Sequence, residues 1–202
     1  ATTIHIGGDI TANRVAISDF SGSSITFAGG IRGNTDVNNG YAKLSLTDTV
    51  SNAYDLAFIG STNQFGGDTS NDLSFTNTGS LTLGKAAGAS FDLAGDLSAT
   101  SASVVNLGAT LNAAGAVTLA DADTPLALIG NTTINTTSGN GAITLGNAVE
   151  LATGATAGLT LESGSGAISI AGGIGQNGAL SALSINDLGG SGVASIGTDS
   201  TA

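Results

Sequence analysis

The most regular feature of the chain is a short motif in which an apolar, a polar and an apolar residue follow a glycine. It occurs at residues 115–119 (GAVTL), 141–145 (GAITL), 166–170 (GAISI) and 192–196 (GVASI), which begin 26, 25 and 26 residues apart. Alternation of apolar and polar residues is typical of a β-strand with one buried face. Repetition of such a unit at a fixed period is typical of a solenoid.

Two further series of triplets repeat at nearly the same step. They are residues 126–128 (LAL), 149–151 (VEL) and Ile174, and residues 132–134 (TTI), 159–161 (LTL) and 183–185 (LSI). The sequence therefore predicts a right-handed parallel β-helix of about eight coils, with about 25 residues and three short strands in each coil.

Pairing of equivalent strands in register predicts which side chains stack along this β-helix. Val117 and Leu119 would then belong to aliphatic ladders inside the coil. Thr118, Thr144 and Ser169 would form a ladder of hydroxyl groups on the outside.

The first half of the chain follows the same pattern with less regular spacing. Residues 24–31 (SITFAGGI) align with 167–174 (AISIAGGI), and residues 44–46 (LSL) align with 183–185. The polar stretch at residues 60–71 is predicted to be a protruding loop. Further triplets continue the pattern at residues 56–58, 73–75, 81–83 and 91–93.

These observations predict one β-helical domain over residues 1–202. Residues 1–114 would form less regular coils with longer loops, and residues 115–202 would form regular repeat coils. The alternative is a β-sandwich of short strands, but a sandwich does not require the recurring step of 25 or 26 residues. No apolar stripe with a helical period is present, so a helical fold is excluded.

The composition limits the partners of the chain more than it limits the fold. Charged residues make up 9% of the chain and the net charge is −11. All four basic residues, Arg14, Arg32, Lys43 and Lys85, lie in the first 85 positions. So little positive charge cannot neutralise phosphates, which excludes nucleic-acid binding. No apolar run is long enough for a membrane-spanning helix, so no membrane insertion is expected.

Three stretches of the second half carry a resemblance to a known family. Residues 132–146 (TTINTTSGNGAITLG), 158–170 (GLTLESGSGAISI) and 180–185 (LSALSI) resemble the repeat region of large bacterial exoproteins of the filamentous-haemagglutinin type. The resemblance implies a long β-helical rod that is secreted by a bacterium and remains extracellular or on the cell surface. It further implies a role in adhesion or in building a biofilm matrix.

The residue types that catalysis requires are sparse. The single histidine, His5, alternates with Ile4 and Ile6, which predicts an outward-facing strand residue rather than a catalytic base. The acidic pair Asp121 and Asp123 has no basic residue within a coil of it. We therefore expect no catalytic residue, no cofactor-binding residue and no enzymatic activity.

Calcium is the one cofactor that the sequence suggests. Residues 66–73 (GGDTSNDL) faintly resemble the Gly- and Asp-rich repeat of calcium-binding β-rolls, which makes Asp68 and Asp72 weak candidates for ligands. Such sites need tandem copies so that adjacent turns share an ion. Only one degenerate copy is present, so a solvated turn without metal is favoured.

The repeat pattern favours a structural function. Strand-like residues 2–6 and the repeat copy at 192–196 show no helical cap, so we expect the terminal coils to stack on neighbouring coils. The neighbour would be another copy of the chain in a head-to-tail homopolymer, or adjoining repeats of a longer polypeptide. In the alternative function, the chain is a rod segment of an adhesin that binds a glycan or host surface through the loop at residues 60–71.

Overall fold

The chain folds as an all-β parallel solenoid of about seven turns, each of about 24 residues. The computed structural model describes residues 2–18, 20–34, 40–47, 53–67, 70–85, 87–186 and 193–197. The predicted parallel β-helix with three strands per coil is confirmed, although the turns number about seven rather than eight. The handedness of the coil stays a prediction. None of the described residues forms a helix of the length and apolarity that crossing a membrane requires.

Within the described residues the strands follow one another as triplets along the chain. The first four turns contain β1 (Thr3–Ile6), β2 (Ile10–Thr11), β3 (Arg14–Ser18), β4 (Ser24–Phe27), β5 (Ile31–Arg32), β6 (Ala42–Thr47), β7 (Asp55–Phe58), β8 (Thr62–Gly67), β9 (Leu73–Phe75), β10 (Ser80–Gly84), β11 (Ser90–Leu93) and β12 (Leu97–Ala99). The later turns contain β13 (Val104–Gly108), β14 (Thr110–Ala113), β15 (Val117–Leu119), β16 (Leu126–Leu128), β17 (Thr132–Asn135), β18 (Ile143–Leu145), β19 (Val149–Leu151), β20 (Leu159–Glu162), β21 (Ile168–Ile170), β22 (Leu183–Asn186) and β23 (Ala194–Ile196).

Three parallel sheets run along the solenoid, and we name them faces A, B and C. Face A has the order β1-β4-β7-β10-β13-β16-β19, and an isolated bridge between Val149 and Ile174 extends it. Face B has the order β2-β5-β8-β11-β14-β17-β20-β22, with β3 and β6 joined at its side. Face C has the order β9-β12-β15-β18-β21-β23.

The registers predicted for the second half of the chain are confirmed residue by residue. On face C, Val117 pairs with Ile143, and Ile143 pairs with Ile168. Val117 and Ile143 are fully buried, as predicted. The outer hydroxyl ladder is also confirmed, and it is longer than predicted. A Ser or Thr residue occupies the same position on all six strands of this face: Ser74, Ser98, Thr118, Thr144, Ser169 and Ser195.

The alignment predicted for the first half was wrong by one face. Residues 24–31 were aligned with 167–174, but β4 lies on face A, whereas β21 lies on face C. Residues 44–46 were aligned with β22, the face B strand of its turn. They instead lie in β6, the third strand of the second turn, which pairs with both β3 and β8. Every triplet has the same apolar–polar–apolar pattern, so only the corner lengths distinguish the faces.

The loop predicted at residues 60–71 was also wrong. Residues 62–67 form strand β8, which pairs with β5, β6 and β11. Asn63 takes an inward position and is fully buried, with its Nδ2 atom donating to the carbonyl of Gly60 at 3.0 Å. An asparagine in a core position conceals the alternation that marks a strand, which is why the sequence indicated a loop.

The core changes in character along the axis. Seven of the eight aromatic residues are buried, all within the first 91 positions: Phe20, Phe27, Tyr54, Phe58, Phe65, Phe75 and Phe91. Phe58 is the centre of this cluster, because its ring lies 4.9, 5.2 and 5.6 Å from the rings of Phe27, Phe65 and Phe75. Beyond Phe91 the core consists of aliphatic ladders.

The large rings coincide with an irregularity of the coil. Strand β6 joins the end of β8 on face B instead of continuing face C, so face C begins only at β9. A small cavity of about 30 Å³ lies between β6 and β9, lined in part by Leu44, Leu73 and Asn77. The first two turns therefore have a different third side from the turns that follow.

Candidate functional site

The outer surface of face B presents two parallel ladders of polar side chains. The first consists of hydroxyl residues at paired positions: Thr62, Ser90, Thr110, Thr133, Thr160 and Ser184. The second consists of amide and carboxylate residues two positions further along each strand: Gln64, Asp92, Asn112, Asn135, Glu162 and Asn186. Stacked strands lie about 4.8 Å apart, so each ladder repeats at that spacing.

Hydrogen bonds fix part of the amide and carboxylate ladder. Asp92 accepts from the Gln64 side chain at 3.3 Å through Oδ2, and from the Asn112 side chain at 2.9 Å through Oδ1. This ladder was not predicted from the sequence, because the apolar positions dominate the repeat pattern. The recurrence of Asn, Asn and Glu after three successive face B triplets, at Asn112, Asn135 and Glu162, was the signal that could have revealed it.

Acidic residues at the corners have a structural function. Asp72 accepts the backbone N–H of Asp96 at 3.0 Å, and Asp96 accepts the backbone N–H of Ala116 at 2.7 Å. Asp55 likewise accepts the backbone N–H of Ser80 at 2.7 Å. In each pair, a carboxylate on one turn caps an N–H group on the next turn, which a corner would otherwise leave without a partner inside the protein.

The calcium candidates do not form a metal centre in the described part of the chain. Asp68 lies outside the described residues. Asp72 is described, and its Oδ1 atom is engaged by the Asp96 N–H. No group of three or more His, Cys, Asp or Glu residues that could hold a metal occurs among the described positions.

The candidates for catalysis are not brought together. His5 is exposed on β1, as its alternation with isoleucines predicted, and the structure pairs it with Thr26. Asp121 accepts the backbone N–H of Asp123 at 3.0 Å, which is a local turn, and both residues are exposed. The expectation that the chain is not an enzyme stays a prediction.

The last described turn leaves core positions open. Leu183 pairs with the buried Leu159, and Ile196 pairs with the buried Ile170, so both occupy inward ladder positions. Yet Leu183 is 45% exposed and Ile196 is 44% exposed. With Val193 at 64%, they are the exposed large apolar residues of the described chain.

The first turn is open in the same manner. Ile4 and Ile6 of β1 are only partly buried, although their partners in β4, Ile25 and Phe27, are 1% and 0% exposed. Within the described residues, β1 pairs with β4 alone and β2 pairs with β5 alone. Both ends of the described solenoid therefore present apolar ladder residues together with strand edges that lack a partner on one side.

The fold and these surfaces define the class of the protein as a parallel β-solenoid with polar outer ladders. Comparisons with protein-family models, with curated proteins and with solved structures found no match.

Proposed function

We propose that the chain is a structural component of a bacterial extracellular or cell-surface fibre, assembled by end-to-end stacking of its turns. The observation that carries the proposal is the exposure of inward ladder residues at both ends, above all that of Leu183. Burying such residues against another turn removes apolar surface from water, at about 25 cal/mol for each Å². An unpaired strand edge gains backbone hydrogen bonds in the same contact.

Stacking would join the first turn of one copy to the last turn of another. Face A ends at Ile174 and begins at β1, and face B ends at β22 and begins at β2. Two of the three faces can therefore continue across a joint in the same order. Contacts between two different surfaces of identical molecules close into a ring or continue as a filament, and stacking along the solenoid axis gives a filament because it does not lead back to the first copy.

The sequence supports this assignment in two further ways. The resemblance of residues 132–185 to the repeats of filamentous-haemagglutinin-type exoproteins favours a long rod at the bacterial surface. Aliphatic ladders inside and hydroxyl ladders outside require neither a cofactor nor a metal, so the proposed function depends on shape and assembly alone. In a longer polypeptide, the same open ends would instead contact adjoining repeats.

The proposal is tested by electron microscopy and sedimentation velocity of the 202-residue chain over a concentration series. We expect thin fibres or concentration-dependent oligomers. Leu183→Glu places a charge on the stacking surface and should abolish them. Ser184→Glu is the matched control, because Ser184 is the adjacent outward residue of the same strand. This variant should still form fibres or oligomers. Short rods that remain monomeric at every concentration would overturn the proposal.

A further inference from the structure

A surface groove of about 270 Å³ lies where strand β6 meets the end of β8. The two strands pair through Lys43 with Gly66 and through Leu44 with Gly67. Beyond this contact, within the described residues, β6 pairs with β3 alone. The groove is thus a consequence of the same irregularity that delays the start of face C.

Small residues form one part of the groove lining. Three small residues line it: Gly66, Ala94 and Ala114. They directly follow Phe65, Leu93 and Ala113, which are paired with one another on adjacent strands of face B. They therefore occupy the same corner on three successive turns, which spans about 10 Å along the axis. A ligand can approach the backbone closely along this length, because no long side chain occupies the corner.

Larger polar residues form the other part. Tyr41, Lys43 and Asn71 line the groove. Tyr41 is half-buried, and it is the one aromatic residue of the chain that does not belong to the core. Lys43 is half-buried as well, and the described residues give it no ion-pair partner. A partly exposed aromatic side chain beside polar groups is suited to an amphipathic ligand.

Hydrogen-bond acceptors border the groove. Gln64, Asp92 and Asn112 each lie two positions before one of the lining residues Gly66, Ala94 and Ala114 in the chain, at a distance of roughly 7 Å. Both amide groups direct their N–H donors at Asp92. The side-chain oxygens of Gln64 and Asn112 make no hydrogen bond within the described part of the chain and are available as acceptors.

We propose that this groove binds a neutral, hydroxyl-rich oligosaccharide. Each sugar hydroxyl group both donates and accepts hydrogen bonds, so it can donate to the side-chain oxygens of Gln64 and Asn112. A sugar ring has an apolar face that packs on an aromatic side chain, for which Tyr41 is placed. The Lys43 ammonium group donates to a sugar oxygen. An anionic ligand is disfavoured, because Asp92 lies roughly 7 Å from the lining residue Ala94 and the chain has a net charge of −11.

The binding is tested by titrating the purified chain with cellohexaose, maltohexaose and chitohexaose, and with an acidic oligogalacturonate. Isothermal calorimetry gives the affinity, and tyrosine fluorescence reports on the groove, since the chain contains no Trp and only two Tyr. A Tyr54→Phe background leaves Tyr41 as the single emitter. We expect saturable binding of at least one neutral probe and weaker or no binding of the acidic one.

Variants assign the binding to the groove. Tyr41→Ala should lower the affinity by about tenfold or more. The matched control is Thr160→Ala, on the outer surface of face B in a later turn, and its affinity should equal that of the wild type. Absence of binding by every neutral probe, tighter binding of the acidic one, or an unchanged affinity in Tyr41→Ala would overturn the proposal. Leu183 lies in the last turns of the solenoid, far from the groove at β6 and β8. The Leu183→Glu variant should therefore bind the oligosaccharide with wild-type affinity, which separates this test from that of fibre assembly.

Discussion

The rings of Phe27 and Phe58 stack face to face in the core, with centroids 4.9 Å apart and planes within 1° of parallel. The stacking follows from the register, because the two residues are paired on the adjacent strands β4 and β7. Phe58 also contacts Phe65 and Phe75, so one side chain joins all three faces at the turn where face C begins.

Replacement of Phe58 should therefore destabilise the first turns strongly. We expect Phe58→Ala to lower the free energy of unfolding by about 3–5 kcal/mol, because it removes a fully buried ring and leaves a cavity. Urea denaturation followed by circular dichroism measures the effect. Thr26→Ala, on the outer side of β4, is the control and should shift the midpoint little. Equal shifts in the two variants would contradict the central position of Phe58.

The glycine that begins each regular repeat should resist substitution for a steric reason. A Cβ atom on Gly141 would clash with the carbonyl oxygen of Gly115 on the preceding turn, and one on Gly166 would clash with that of Gly141. We expect Gly141→Ala to destabilise the fold by about 1–3 kcal/mol, as overpacking does. Thermal unfolding provides the measurement.

Gly8 supplies the matched control for this substitution. A Cβ atom at Gly8 would meet no atom within 4 Å. Gly8→Ala should therefore unfold at nearly the wild-type temperature. If Gly141→Ala were tolerated as well as Gly8→Ala, the turns could separate at this corner without cost, and the steric explanation for the repeated glycine would be wrong.

The corner carboxylate of Asp96 should contribute measurably to stability. Its Oδ1 atom accepts the Ala116 N–H at 2.7 Å, and its own N–H donates to Asp72. We expect Asp96→Ala to cost about 1.5–3 kcal/mol, the typical contribution of a hydrogen bond to a charged group. Asp96→Asn keeps an acceptor oxygen and should cost less. Chemical denaturation of the two variants measures the difference.

Asp123 is the matched control for the corner substitutions, because its carboxylate is exposed and accepts no hydrogen bond among the described residues. Asp123→Ala should leave the denaturation midpoint close to that of the wild type. A loss as large as that of Asp96→Ala would show that removal of any negative charge has the same effect, and that the turn-to-turn hydrogen bond is not the cause.

Calcium should leave the stability of the protein unchanged. Asp72 is already engaged by the Asp96 N–H, and the described residues contain no cluster suited to a metal. A ligand that binds only the folded state raises its stability, so the unfolding temperature should be the same with millimolar calcium and with a chelator. A calcium-dependent increase that is lost in Asp72→Asn would contradict this expectation.

The sequence was sufficient for the fold and for the register of the second half, because the corners there have nearly constant length. Ile143 could be placed beside Val117 and Ile168 from spacing alone, and the structure confirms both pairs. Residues 24–27 could not be placed on the right face. Their pattern fits any face, and the corners of the early turns vary in length.

The candidate surfaces were less accessible to sequence reasoning than the fold. Stacking of the terminal coils was predicted from the absence of a recognisable cap, and it stays a prediction. The exposure of Leu183 and Ile196 depends on the coordinates of β22 and β23. The groove could not be predicted at all. It brings Tyr41 together with Ala94 and Ala114, which are distant in sequence, and it requires the unusual pairing of β6 with the end of β8.

The direction of the hydrogen bonds between turns has a mechanical consequence. Strand-to-strand bonds in this fold point along the axis, since the strands of one turn pair with those of its neighbouring turns. Tension applied to the two ends would therefore load the few bonds of one terminal turn at a time. Each turn that peels away releases about 24 residues, or roughly 80 Å of extended chain. A single chain held at its two ends would lengthen in discrete steps under load and absorb mechanical work as its turns peel away.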